Sequence, residues 1–203
     1  MPSLAYKLPP PSRVLMRDVE FPPEPMDRVG KVLYALNLAL LAAILCLGAY
    51  AYVALPEVVP THFGPSGEPT AYGPKYMVLV LAGCLAIAPA VIVAFTGLRF
   101  TLLNKYPYLI NMPAFYAKIP RLPRERRGVW VNRYFKGLLG MGAALSAVML
   151  AVMASVYVGM AVGKLTGWLV LLILSSLAAI IAPFYLYLRR LSRMLDAELA
   201  SAG

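Results

Sequence analysis

The only histidine in the chain, His62, sits between two carboxylates, Glu57 and Glu68, in a segment otherwise rich in proline and glycine. An imidazole flanked by carboxylates is the beginning of a metal site or of an acid–base pair. A structural or catalytic zinc takes three or four nitrogen, sulfur or carboxylate ligands. This segment offers at most those three and no thiol, so no metal site is assigned to it. The two cysteines, Cys46 and Cys84, lie in apolar runs, where a low dielectric disfavours the reactive thiolate. Both read as small packing residues, and two such residues make no disulfide framework. No pair of groups is spaced for acid–base or nucleophilic work, so the chain is expected to be non-enzymatic and to need no cofactor. For His62 three roles stand: a hydrogen bond to a loop carbonyl or to Glu68 that pins a turn, recognition of an outside ligand such as a peptide or lipid headgroup, and metal binding, the last short of ligands.

The elements that carry this loop are set by composition. Of 203 residues, 61% are hydrophobic and 14% charged, with mean hydropathy +0.71, whereas soluble domains carry about 25% charged residues. One soluble core could not hide that much apolar surface, and the excess would be exposed as aggregating patches. Four stretches, 32–54, 76–98, 137–161 and 167–188, contain no Asp, Glu, Lys, Arg or His and are long enough to cross a bilayer, which takes about 20 residues. The expected fold class is therefore an all-α integral membrane protein with four transmembrane helices. The first apolar run follows a Pro-rich polar segment and reads as a retained helix rather than a signal peptide. The polar content of the spans is Asn37, Thr96, Ser146, Ser155, Ser175, Ser176 and a few tyrosines. Without an ionisable group inside the membrane, an ion-coupled transporter, a proton relay or an intramembrane protease is not expected.

Charge sets the orientation. Seventeen of the 19 Lys and Arg residues fall in segment 1–31, loop 99–136 and tail 189–203, leaving Lys75 and Lys164 for the other two connections. The positive-inside rule then predicts both termini in the cytoplasm, with localisation in the cell membrane. Tyr50, Tyr52, Tyr72, Tyr76, Trp168, Tyr185 and Tyr187 cluster at span ends, as interfacial aromatics do. The net charge of +10 is thus a matter of topology, and nucleic acid is not an expected partner. Five units follow: a Pro-rich segment 1–31, a helical hairpin 32–98, a basic-aromatic loop 99–136, a second helical hairpin 137–188 and a tail 189–203. Asp18, Glu20, Glu24 and Asp27 in the first unit could pair with the basic loop on the same side.

The connection 55–75 reads as a stiff cap. Pro56 ends the first helix, the chain to Pro60 is extended, Gly64 to Gly67 is turn chemistry, and Pro74 suits the first turn of the next helix. The order Leu55-Pro56, Val59-Pro60, His62-Phe63, a Gly-rich turn ending at Gly67-Glu68-Pro69, then Tyr72 and Lys75 resembles the loop of a prokaryotic membrane family, domain-of-unknown-function family 1648. Gly64 and Thr70 stand where Asn and Asp are frequent in that family. The resemblance covers roughly residues 32–98. It implies kinship with SdpI-type proteins, which confer immunity to a secreted peptide toxin and can act in signalling, and it marks Pro56, Pro60, His62, Phe63, Gly67, Glu68, Pro69, Tyr72 and Lys75 as structural or ligand-facing. Relatives in the same broad family carry an Asn-x-Pro and a basic stretch in the inner loop, which marks Asn111 and Pro113 here.

In that inner loop Arg126, Arg127, Trp130, Asn132 and Arg133 interleave base and aromatic. This suits a headgroup-level segment, with Trp130 and Tyr134 anchoring the start of the third helix, or a dock for a cytoplasmic partner. Within the spans, Ala143, Ala147, Ala151, Ser155 and Gly159 form a small-residue stripe, as do Ala35, Ala39 and Ala43, and both are expected to be buried against other helices. Pro89 and Pro183 should kink the second and fourth spans or, paired, mark a binding site. Three functions compete: an SdpI-related module that senses or resists an outside peptide, an accessory or structural subunit of a larger membrane complex, and a lipid or small-solute carrier needing a cavity between the second and fourth spans. The expected partners are membrane lipids, with an extracellular peptide or other membrane subunits beyond them.

Overall fold

The computed structural model describes residues 19–110, 115 and 117–201. Four long helices carry the apolar stretches: α1 (Arg28–Ala54), α2 (Met77–Gly97), α4 (Arg124–Val162) and α5 (Trp168–Ser201). Each is long and apolar enough to cross a membrane. A short helix α3 (Arg99–Lys105) follows α2. Between α1 and α2 the chain departs from the all-α expectation and forms an antiparallel hairpin of β1 (Val58–Phe63) and β2 (Pro69–Pro74).

α4 packs on α1, α2 and α5, and α1 also packs on α2. In lipid the hydrophobic drive between helices is absent, so close approach and polar bonds must hold them. The buried positions of α1 include Gly30, Asn37, Ile44 and Ala51, a seven-residue repeat that keeps one seam facing its partner. Leu139, Ser146, Met153 and Met160 repeat the same way on α4. Where the seams meet, a Cβ on Gly142 would lie 2.7 Å from Asn37 Oδ1 and 2.8 Å from Ile92 Cγ2, so α1, α2 and α4 converge on a residue with no side chain. The Asn37 amide Nδ2 donates across this contact to Leu139 O at 2.9 Å and within its own helix to Leu33 O at 2.8 Å.

The two small-residue stripes are not these seams. Within one chain Gly159 is buried, Ala43, Ala143, Ala151 and Ser155 are half-buried, and Ala35, Ala39 and Ala147 are exposed. A four-residue step turns about 40° too far around a helix at each repeat, so a stripe five positions long winds away from any one neighbour. Cys46 and Cys84, read as small packing residues, are exposed on the surfaces of α1 and α2 within the chain.

The largest correction lies at the charged end. Residues 124–136, expected as loop, are the first three turns of α4, and the tail from 189 to 201 continues α5. Helical periodicity turns Trp130, Val131, Tyr134 and Phe135 to one face, where they form a core with Phe21, Leu102, Leu103, Ile119, Leu122, Leu191 and Leu195. Trp130 is fully buried and Tyr134 is 9% exposed, so neither is the interfacial anchor the sequence suggested. The segment from Val19 to Asp27 is laid across this core by reciprocal bonds. Phe21 N donates to Asn104 Oδ1 at 2.9 Å, and Asn104 Nδ2 donates to Phe21 O at 3.0 Å.

Opposite charges then tie the periphery, as the sequence suggested for the N-terminal acids. Glu20 pairs with Arg124 at 2.6 Å and Asp27 with Lys136. Glu24 contributes its carbonyl instead, accepting from Arg99 Nη2 at 3.1 Å and Asn132 Nδ2 at 2.9 Å, and Asp18 lies outside the described residues. On α5, Asp196 takes Lys118 at 2.8 Å, and Glu198 takes Arg126 through two bonds of 3.0 Å.

Two outcomes follow. Gly142→Ala is expected to lower the thermal unfolding midpoint in detergent by the equivalent of roughly 1–3 kcal/mol, whereas Ala39→Leu on the exposed face changes it by under about 0.5 kcal/mol. Equal midpoints would remove Gly142 from the packing seam. The second concerns pH. Lys136 and the Gly30 N–H hold the Asp27 carboxyl below its ordinary range, and Arg126 does the same for Glu198. A carboxyl with a depressed folded pKa stabilises fully above its unfolded value, about 4, and that contribution is lost as pH falls through the folded value. Emission from Trp130 in a Trp168→Phe background should therefore report cap loosening only below about pH 4; loosening between pH 5 and 7 would contradict this assignment.

Candidate functional site

At the opposite end the β-hairpin stands over the ends of α1, α2 and α4. Val59 and Pro60 turn inward, with Val59 fully buried against Ala51, Leu55, Val78, Ala82, Met153 and Met160. Phe63 packs half-buried on the same cluster. Prolines at 60, 69 and 74 argue against strands from sequence, yet a two-stranded ribbon consists only of edges, where proline is tolerated. Pro74 closes β2, two residues before the N-cap Tyr76 of α2, and is not the first helical residue. Bulges on both sides of His62 break the register and re-aim the chain locally.

The turn is closed by Gly64 N to Glu68 O at 2.8 Å and Gly67 N to Gly64 O at 2.9 Å. Gly67 has φ +80°, and a Cβ there would strike Leu165 O at 2.0 Å. Leu165 N donates to Gly67 O at 2.8 Å. The hairpin tip is therefore clasped by the connection between α4 and α5, a contact between two loops that no residue pattern pairs.

His62 is exposed, and its Nδ1 shares a hydrogen bond of 2.5 Å with Thr70 Oγ1. The expected partner was a loop carbonyl or Glu68; Glu68 is exposed and uses its backbone carbonyl, not its carboxylate, within the turn. Thr70 takes that part because the ribbon sets β2 beside β1, while Glu68 belongs to the turn. Among the described residues no three His, Cys, Asp or Glu side chains converge on one point. Lys75, under the hairpin base, pairs with Glu57 at 2.8 Å and lies 5.0 Å from the Tyr52 ring centre. The Glu57 carboxylate holds its ammonium above the ordinary lysine range. Tyr72 is exposed, as is Pro56, and Pro69 is half-buried.

Beside the hairpin opens a groove of about 440 Å³. Thr61, His62 and Phe63 form its hairpin wall, Met77, Val80, Leu81 and Cys84 its α2 wall, and Val156, Met160 and Leu165 the far side. His62 is thus brought to an apolar groove rather than to a cluster of acids. The α2 and α4 members escaped sequence reading because each is one apolar residue in an apolar helix.

A family model for a Domain of unknown function (DUF1648) matches residues 39–87, which takes in the second half of α1, the whole hairpin and the first half of α2. An uncharacterized protein of Archaeoglobus fulgidus is 40% identical over 177 residues, covering 87% of this chain and 97% of its own length. The chain belongs to the DUF1648 family. No solved structure matches it. The DUF1648 region coincides with the hairpin and the helix ends that support it, whereas the charged cap and all of α4 and α5 lie outside the matched span.

The remaining marked residues separate. Asn111 and Pro113 lie outside the described residues. Arg126 is bound by Glu198, and Arg127 donates to the carbonyls of Pro120, Leu122 and Glu20 at 2.9, 3.2 and 3.2 Å. Asn132 bridges Arg99 and the Glu24 carbonyl, and Arg133 lies over the Trp130 ring at 4.5 Å. Arg126, Arg127 and Asn132 thus hold the cap together more than they offer a free basic surface. Pro89 is buried on α2, Pro183 lines a separate groove on α5, and both helices run on through their prolines. Among the described residues α4 packs on both α2 and α5 and so stands between the second and fourth spans, where the carrier reading needs its cavity.

Gly67→Ala should be destabilising twice, by the left-handed backbone, at roughly 1–2 kcal/mol, and by collision with Leu165. Gly167→Ala in the facing loop meets nothing within 4 Å and should leave the unfolding midpoint unchanged. A Gly67→Ala protein as stable as its parent would show that the clasp is dispensable.

Proposed function

We propose that this DUF1648 protein is a non-enzymatic membrane module whose hairpin faces the outside of the cell and binds an extracellular peptide, in the manner of the SdpI-type proteins its loop resembles. The observation that carries the reading is the coincidence of the family-matched span with the hairpin and its groove. What defines the family builds a small ribbon with unpaired strand edges, and an extended peptide adds to such an edge through main-chain bonds while side chains enter neighbouring pockets. The apolar groove beside Phe63 would take an aliphatic or aromatic side chain, and the exposed His62 would meet the peptide backbone. The orientation rests on charge, since seventeen of 19 cations fall in the segments that form the cap end and such excess is retained in the cytoplasm. Both termini are then cytoplasmic, and the cap is the surface available to report inward. A second reading, as an accessory subunit of a larger complex, is favoured by α5, whose most apolar stretch is 0% buried within the chain.

The test has two arms. In a background with Cys46 and Cys84 replaced by Ala, Ser66→Cys should react with a membrane-impermeant maleimide on intact cells and Glu125→Cys only after lysis; the reverse pattern would overturn the orientation. Cells lacking the gene should become sensitive to a secreted antibacterial peptide that the purified protein retains, with sensitivity restored by the parent and not by Phe63→Asp. Unchanged sensitivity, with no peptide retained, would sink the recognition role, and a stable co-purifying membrane subunit would then favour the second reading.

A further inference from the structure

Two cavities at the cap end share a wall. One, about 570 Å³, is an apolar groove between α1, α4 and α5, lined by Leu33, Gly140, Met141, Ile180, Pro183 and Phe184 among others. The second, about 300 Å³, is polar and lined by Glu24, Asp27, Asn132 and Arg133. Lys136 lines both, and Tyr187 of the groove donates its hydroxyl to Arg133 O at 2.6 Å, joining the two walls. Apolar space thus continues directly into a polar compartment at the level where the helices leave their apolar stretches. The groove volume falls in the range of ordinary ligand sites, roughly 300–1,000 Å³.

The charge of the polar compartment is partly spent. Lys136 is taken by Asp27, whose other oxygen accepts the Gly30 N–H of the α1 N-cap. Asn132 gives its amide to the Glu24 and Pro25 carbonyls and accepts from Arg99. Arg133 rests on the Trp130 ring and makes no ion pair among the described residues. Glu24, on the same wall, is the remaining carboxylate of the compartment. Around it this end of the molecule is strongly cationic, with Arg28, Lys31 and Arg190 on the neighbouring turns of α1 and α5 and exposed. A guanidinium stacked on an aromatic face, with its donors unspent, suits a phosphate.

We infer that this composite site holds one phosphate-bearing membrane lipid, with an acyl chain in the α1–α4–α5 groove and the phosphate on Arg133. Chain and headgroup would each meet the compartment that matches them, and a lone apolar patch or a lone basic one offers no such pairing. Pro183 adds a local acceptor: it lacks the N–H that would close the helix onto the carbonyl of Ala179, and Ala179 lines the groove. The inference is independent of the peptide reading, because it concerns the opposite end of the molecule and requires only that the chain be embedded in a bilayer.

Gly140 makes the site testable. It is exposed, and a Cβ there meets nothing within 4 Å, so Gly140→Leu fills the groove without pressing on the fold. Gly83 on α2 is equally free and provides the matched control. Delipidated protein in mild detergent would be titrated with phosphatidylglycerol and with diacylglycerol of the same chains, and bound lipid read by native mass spectrometry. One phosphatidylglycerol should bind the parent and Gly83→Leu alike. Gly140→Leu and Arg133→Gln should each weaken binding at least tenfold, and diacylglycerol should bind at least tenfold more weakly than phosphatidylglycerol. Binding to Gly140→Leu equal to the parent, equal binding of the two lipids, or a comparable loss in Gly83→Leu would overturn the inference. Should Gly140→Leu fail to fold, Arg133→Gln and the lipid comparison decide it.

Discussion

The close approach of α1 to α4 at Gly142 is the constraint on which the rest of the molecule depends. In an apolar solvent, leucine gains nothing by leaving lipid for a neighbouring helix, so association rests on tight packing and on polar groups that cannot be satisfied elsewhere. Asn37 supplies the polar part by donating to Leu139 O, and Gly142 supplies the room, since any side chain there would displace Asn37 and Ile92 together. This contact sets the register of α4 against α1 and α2. Because α4 runs unbroken for 39 residues, about 58 Å at 1.5 Å per residue, that one register also fixes what lies beyond each end of the membrane layer.

At one end the register places Leu165, just past the α4 cap at Gly163, over Gly67 of the hairpin. At the other it places Trp130 and Phe135 under Phe21 and beside Leu195. The two outlying units are held by different physics. The hairpin is seated on the helix ends through Val59 and clasped by one main-chain bond at a glycine with no room for a Cβ, while the cap has an aqueous-type core of aromatic and aliphatic side chains ringed by ion pairs. The cap is consequently sensitive to acid, and the clasp to steric change.

The spans were legible because twenty-residue runs without charge admit one physical reading, and the helices cover them. Which helices are neighbours within the chain was not legible. The Ala143-to-Gly159 stripe is conspicuous as a spacing of four, yet the contact geometry favours the seven-residue repeat through Asn37 and Leu139, in which large and small residues mix. Trp130 and Tyr134 looked interfacial because base and aromatic alternate in the one-dimensional chain; once residues 124–136 are helical, the aromatics fall on one face and become core. The hairpin was hidden by its prolines. His62 was legible as the one group of chemical interest, but its partner Thr70 was not, since the ribbon register decides which residue of β2 lies beside it.

The distribution of polar groups inside the helical layer bears on what such a protein can transmit. Asn37 Oδ1, Thr96 Oγ1 and Ser146 Oγ are buried without a protein partner among the described residues, one from each helix of the central seam. A buried polar group of this kind is costly, and close packing of the three helices must offset that cost at the seam. α5 is different: it packs along α4, and its apolar stretch is otherwise bare. The Gly67–Leu165 clasp ties the hairpin to one end of α4, and the cap core is built on the other end of the same helix. Coupling between distant sites needs an element with two discrete arrangements that both sites bias. The structure holds one arrangement of that seam, and its three unsatisfied groups mark a cost inside that arrangement, shared by α1, α2 and α4.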